Sequence, residues 1–97
     1  MKLVYTPRAV EDLTEIAAYL VPRSPAGAVR VRAAILATLR IVLDLPHAGR
    51  LQTVGDVRKI GVRRYPYAVY YRIDENAGEI VILTIRHSAR QRPFHDS

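Results

Sequence analysis

Cysteine is missing from all 97 residues, which excludes disulfides, thiolate-held metals and a cysteine nucleophile and suits a reducing cytoplasm. The chain also lacks any long hydrophobic run. Its longest helical stretch carries Arg30, Arg32 and Arg40, well short of the roughly 20 apolar residues that span a bilayer. No signal peptide is expected either, because the apolar opening Met1–Tyr5 runs at once into Pro7, Arg8, Glu11 and Asp12. The three histidines, His47, His87 and His95, lie far apart without ligand spacing, so neither a metal nor a cofactor is expected. There are no repeats, low-complexity tracts or linkers.

What remains describes an ordinary soluble domain. At 97 residues the chain has room for one hydrophobic core, so residues 1–97 are expected to form one domain, with 91–97 a mobile polar tail. A hydrophobic fraction of 49% against 25% charged residues is globular rather than disordered. The formal net charge is +6, and it is uneven. Residues 1–49 hold 6 bases and 4 acids and residues 50–97 hold 9 and 5, giving +2 and +4. Such a field attracts nucleic acid or an acidic protein segment, and charge alone does not separate the two.

Local pattern supplies an order of elements. Lys2–Tyr5 reads as a strand. Thr6-Pro7 then offers an N-cap followed by a proline in the first helical turn, and Val10, Leu13, Ile16 and Leu20 recur at helical spacing over roughly 8–20. Pro22-Arg-Ser-Pro25 breaks this pattern and repeats the cap-then-proline signal. A longer helix follows, buried along Val31, Ile35, Leu39 and Val42 and stopped by Pro46. About five residues would join the two helices as an antiparallel hairpin. Pro46 to Gly55 reads as loop, and Val57–Val62, Tyr67–Ile73 and Glu79–Arg86 as strands, the last two joined by the turn Asp74–Gly78. The run Ile80–Ile85 is almost continuously apolar, so both its faces should be covered. Period-two alternation puts Tyr67, Val69, Tyr71 and Ile73 toward the core and Tyr65, Ala68, Tyr70 and Arg72 on the other side, which makes Tyr70 the surface candidate.

A series of short motifs runs through the second half: Pro46-His-Ala-Gly-Arg50, Gly55-x-x-Arg58, Tyr65-Pro-Tyr-Ala-Val-Tyr-Tyr-Arg72, Ile82-Leu-x-Ile85 and His87-x-x-Arg90. Upstream stand the opening strand, a Thr-Pro-x-Ala helix start with Asp12-Leu13 and Ile16, and the long second helix. In this order and spacing the chain resembles the ParE branch of the ParE/RelE superfamily of type II toxin–antitoxin toxins. The resemblance implies an α+β fold, with an N-terminal strand and helical hairpin packed on a small twisted antiparallel sheet. It also implies growth arrest by inhibition of DNA gyrase without enzymatic activity, no cofactor, and neutralisation in a hetero-oligomeric complex by a ParD-like antitoxin whose C-terminal segment folds over the toxin.

The candidate binding residues are Arg50, Arg58, Arg63, Arg64, Tyr70, Arg86, His87 and Arg90. Gly49-Arg50 and Gly55-x-x-Arg58 either aim guanidinium forks at a partner's carboxylates or simply shape a tight loop. The RelE branch, by contrast, cleaves messenger RNA on the ribosome, which calls for a base, an acid and cations at the scissile phosphate. RelE-like enzymes supply lysines around the first long strand and a tyrosine near the C-terminus, and a relative uses a glutamate and a terminal histidine-tyrosine pair. This chain has Lys59 alone in that strand, no glutamate between Arg50 and Ile73, and no tyrosine after Tyr71. His87, with Arg63 and Arg86 as phosphate ligands and Lys59 beside them, would be the catalytic set on that alternative. On the ParE reading His87 is structural.

Overall fold

The computed structural model describes residues 1–88. Strand β1 (Lys2–Tyr5) leads into helix α1 (Pro7–Arg23) and helix α2 (Pro25–Asp44), and strands β2 (Arg50–Leu51), β3 (Arg58–Gly61), β4 (Tyr67–Asp74) and β5 (Glu79–His87) follow. The five strands form one sheet in the order β1-β5-β4-β3-β2. β1 runs parallel to β5, and every other pair is antiparallel. The last strand is thus a central one. The residues expected to form a mobile tail lie outside the described part.

The helices start where their caps dictate. The Thr6 hydroxyl accepts the Ala9 N–H at 3.0 Å, and Pro7 fills the first helical turn. Ser24 serves two helices at once. Its N–H donates to the Leu20 carbonyl at 2.8 Å, closing α1, while its hydroxyl accepts the Gly27 N–H at 3.0 Å, opening α2. A Cβ on residue 27 would lie 2.7 Å from that hydroxyl, so glycine lets the cap close. The expected five-residue linker is therefore a single residue. Pro22 does not stop α1, because in the last turn its missing N–H forfeits one helical bond while Ser24 still closes the end. Arg23 adds to the closure by donating to the Tyr19 carbonyl at 2.8 Å and lying over the Tyr19 ring.

One face of the sheet carries the core. Val31, Ile35, Leu39 and Val42 of α2 and Ala9 of α1 pack with Val69 and Tyr71 of β4 and with Ile80, Ile82 and Ile85 of β5. The opposite, far face carries a second, smaller cluster of Val57, Ala68, Tyr70 and Leu83, so β5 is covered on both sides. β2 falls inside the segment expected to be loop, and it is held by the pairs Arg50↔Lys59 and Leu51↔Arg58. The turn at 74–78 is as expected: Asp74 accepts the Ala77 N–H at 3.1 Å, and Gly78 takes the left-handed φ of 65°.

β5 is irregular at its middle. Tyr71 faces Ile82 but Tyr70 faces Thr84, so Leu83 and Thr84 together oppose one residue. Such a bulge removes groups from the ladder, and α1 meets them. The Thr6 hydroxyl donates to the Leu83 carbonyl at 2.7 Å, and the Asp12 carboxylate accepts the Ile85 N–H at 3.0 Å. The same carboxylate oxygen accepts the Thr84 hydroxyl.

Candidate functional site

The far face collects several of the residues singled out above. Lys59 pairs across β3 and β4 with Tyr70, Arg50 pairs with Lys59, and Arg86 pairs with Ala68. All four side chains thus project to the side away from the helices. The Lys59 ammonium lies 5.7 Å and the Arg86 guanidinium 5.4 Å from the centroid of the Tyr70 ring, both within cation–π range. Tyr70 is on the expected side but not at the surface. Only 4% exposed, it packs with Val57, Ala68 and Leu83 and lies beneath the two cations. Alternation reports the side on which a residue stands, not how much covers it.

Beside this cluster, where β3 runs past the start of β2, lies an open concavity of about 540 Å³. Arg50, Lys59, Gly61, Ala68 and Ser88 contribute to its lining, with Tyr65 and Tyr67 at the β3–β4 turn. No carboxylate is among its lining residues. Its lining combines two cations, Arg50 and Lys59, with two tyrosine rings.

The remaining candidates stand elsewhere. Arg58 donates to the Gly49 carbonyl at 2.9 Å and to the His47 carbonyl at 3.5 Å, tying down the loop before β2. Arg63 and Arg64 are exposed at the turn between β3 and β4, with Arg64 in the left-handed region at φ 74°. His87 pairs with Tyr67 on the helix side of the sheet, its ring edge-on to the tyrosine at 5.3 Å between centroids. The residues of the ribonuclease alternative are therefore spread over two faces and a turn. Arg90 lies outside the described residues. Among the described residues no group of three or more histidines, aspartates and glutamates is placed to hold a metal, and no helix is long and apolar enough to cross a membrane.

The Pro46–Arg50 motif is built around Tyr71. This ring is fully buried, and its hydroxyl accepts the Gly49 N–H at 2.8 Å and donates to the Pro46 carbonyl at 2.7 Å. A Cβ on residue 49 would lie 2.6–2.9 Å from the Tyr71 hydroxyl and ring carbons, so close approach is what demands glycine there. Burial raises the Tyr71 pKa above the ordinary tyrosine value, against the opposing pull of the Gly49 N–H and the Arg58 cation. The Tyr67 pKa is raised too, by burial and then by neighbouring Tyr19. Asp12, which sequence reasoning placed only in the helix-start motif, holds the β5 bulge. The available signal was Thr84, a lone polar residue in an apolar run.

A strand, a helical hairpin on one sheet face and a cation-rimmed tyrosine on the other make a small α+β domain. The fold superposes on a chain of the chromosomal ParDE toxin–antitoxin system from P. aeruginosa with a TM-score of 0.75 at 26% identity, over 90% of this chain and 95% of that one. The intact E. coli RelBE toxin–antitoxin complex contains a chain of the same fold, with a TM-score of 0.68 at 22% identity over 93% of this chain and 96% of that one. The family model for the ParE toxin of the type II toxin–antitoxin system parDE matches residues 3–92, and the chain belongs to that family. Its sequence is similar to the putative toxin Y4kP of Sinorhizobium fredii, with 32% identity over 92 residues, 95% of this chain and 93% of that protein. It is also similar to toxin RelE2 of Caulobacter vibrioides, with 34% identity over 89 residues, 92% of this chain and 97% of that protein.

Proposed function

We propose that this toxin arrests growth by inhibiting DNA gyrase through a protein interface rather than by catalysis, and that a ParD-like antitoxin neutralises it by covering the toxin surface. The observation that carries the non-enzymatic reading is the separation of the candidate proton shuttle from the cations. The far face gathers Lys59, Arg86 and Arg50 around Tyr70 and the adjoining concavity, and His87 is not among them. Ribonucleolysis needs a base and an acid within hydrogen-bond reach of the reacting oxygens. His87, the proton shuttle on that alternative, pairs with Tyr67 on the other side of the sheet. Kinship with the ParE family supports gyrase as the target.

Charge and exposed apolar surface support the antitoxin. The chain's +6 charge suits an acidic segment. Val29 at 68% and Leu36 at 47% exposure stand two turns apart on α2, offering an amphipathic partner a stripe to fold against. Binding of this kind would mask the toxin without any chemistry.

One induction with two readouts decides between interface and ribonuclease. Cells expressing the toxin are assayed for new messenger RNA 5′ ends, and the purified protein is assayed for inhibition of gyrase supercoiling. The expected outcome is gyrase inhibition with intact messages, and a His87→Ala variant that arrests growth as the parent does. Sequence-biased cuts in translated messages, lost in His87→Ala, would instead establish the RelE-type endoribonuclease.

A further inference from the structure

The bulge in β5 decides which residues reach the far face. Side chains alternate along a strand, so a one-residue slip moves every later residue to the other side. In the observed register Ala68 faces Arg86, Val69 faces Ile85 and Tyr70 faces Thr84. Were β5 to continue regularly from the pair Tyr71↔Ile82, Tyr70 would face Leu83, Val69 would face Thr84, Ala68 would face Ile85 and Tyr67 would face Arg86. Ile85 would then leave the core for the far face, and Arg86 would leave Tyr70 for the helix side. Only the bulged register puts the Arg86 guanidinium within 5.4 Å of the Tyr70 ring and on the same face as Lys59.

The bulge is held from α1. Asp12 accepts both the Ile85 N–H and the Thr84 hydroxyl with one carboxylate oxygen, and Thr6 secures the Leu83 carbonyl. The Asp12 side chain is 14% exposed, and the one cation it pairs with among the described residues, Arg8, lies 3.7 Å away with a mostly exposed side chain. Such a pair adds little, which leaves the two bulge donors as the principal contacts of the carboxylate. β1 pairs with β5 only as far as Ile82, so at Ile85 the edge is completed by this acid rather than by a strand.

We infer that Asp12 is a positioning residue for the toxin's cationic far face: by holding the β5 bulge it sets the register that turns Arg86 outward over Tyr70. The inference rests on the far face being the surface that meets target or antitoxin, and its test separates the two ideas. Cross-strand NOEs in the purified toxin report the register directly. In the parent, contacts join Ala68 to Arg86 and Val69 to Ile85. In Asp12→Ala a second set is expected, joining Ala68 to Ile85 and Val69 to Thr84, with loss of Arg86 contacts to the Tyr70 ring. A folded Asp12→Ala with the parental set alone overturns the inference. If Asp12→Ala does not fold, Asp12→Asn keeps the size and one acceptor oxygen and is read in the same way. Unfolding of both variants assigns Asp12 to stability alone and also overturns it.

The functional arm is growth arrest on induction in the four combinations of Asp12→Ala (or Asp12→Asn) with Arg86→Ala. A lost charged hydrogen bond at an interface weakens binding by about tenfold or more, so Arg86→Ala should weaken arrest in the parent and add nothing once Asp12 is replaced. Independent, additive effects of the two substitutions would mark Asp12 as merely structural. If Arg86→Ala is silent in the parent, the far-face reading fails, and the NOE pattern still decides the role of Asp12.

Discussion

Replacing Tyr71 with phenylalanine removes one oxygen atom and tests how the motif before β2 is held. The ring has no exposed surface, and its hydroxyl serves the Gly49 N–H at 2.8 Å and the Pro46 carbonyl at 2.7 Å. Phenylalanine fills the same space, so no cavity forms and the cost is polar. A buried group left without its partner costs about 1–3 kcal/mol. The Gly49 bond is buried, whereas the Pro46 bond is only partly so, and water can reach that carbonyl. One full penalty plus a fraction of a second gives about 2–3 kcal/mol. In a domain of this size each kcal/mol shifts Tm by about 4–8 °C, so the variant should melt about 10–20 °C lower and unfold at lower urea with an unchanged m-value. Gly49→Ala attacks the same joint from the other side. Its Cβ would meet Tyr71 ring carbons at 2.7–2.9 Å, and overpacking of this kind costs about 1–3 kcal/mol. Those ring carbons remain in phenylalanine while the hydrogen bonds cannot be lost twice, so the double variant should cost less than the sum of the two. A Tyr71→Phe loss under about 0.5 kcal/mol would refute the idea that this hydroxyl organises the loop.

Alkaline titration follows from the same ring. The folded protein holds the Tyr71 and Tyr67 protons more tightly than the unfolded chain does. Their contribution to stability is therefore complete below the ordinary tyrosine pKa of about 10 and is lost as pH rises through the higher folded values. Urea midpoints measured from pH 8 upward should fall once pH 10 is passed, and less steeply in Tyr71→Phe than in the parent. Ser24→Ala removes the hydroxyl that opens α2 and should cost about 0.5–2 kcal/mol in chemical unfolding, while helical circular dichroism at 25 °C stays close to the parent's. Gly78→Ala places a Cβ where nothing lies within 4 Å, at a φ of 65°. Its cost of about 1–2 kcal/mol should be purely conformational, and Gly78→Asn should recover part of it in the same unfolding assay.

The parts of this fold that repeat were legible in the sequence. The stripe Val31, Ile35, Leu39, Val42 became the core face of α2, and alternation assigned Val69 and Tyr71 to the same core. Parts fixed by a single contact were not legible. β2 is two residues long, too short for any period, and exists because Lys59 and Arg58 pair with it. The joint between the helices shrank to Ser24 because one residue can close one helix and open the next. The bulge was hidden because its partners, Thr6 and Asp12, lie more than 70 residues away in sequence. At the candidate site a motif named Arg50 and the ribonuclease alternative named Lys59 and Arg86, but only the sheet register shows that these three share a face while His87 stands opposite. Tyr70 was assigned to the right side and the wrong depth, since cover from Lys59, Arg86 and Leu83 is a tertiary property.

The place of β5 between β1 and β4 has a consequence for synthesis. The last of the described elements to be made is the strand on which both its neighbours depend: β1, finished at Tyr5, waits for Glu79–Ile82, and β4, though paired with β3, waits for β5 on its other side. A nascent chain that has passed Gly78 thus owns both helices and four strands, yet β1 has no partner in the sheet and the core lacks Ile80, Ile82 and Ile85. At about 5–20 residues per second, the step from that state to a complete β5 takes about a second. The sheet is therefore completed late, and a message broken before the codon for Glu79 yields a chain that holds β2, β3 and β4 but lacks the partner of β1 and the Arg86 side of the far face.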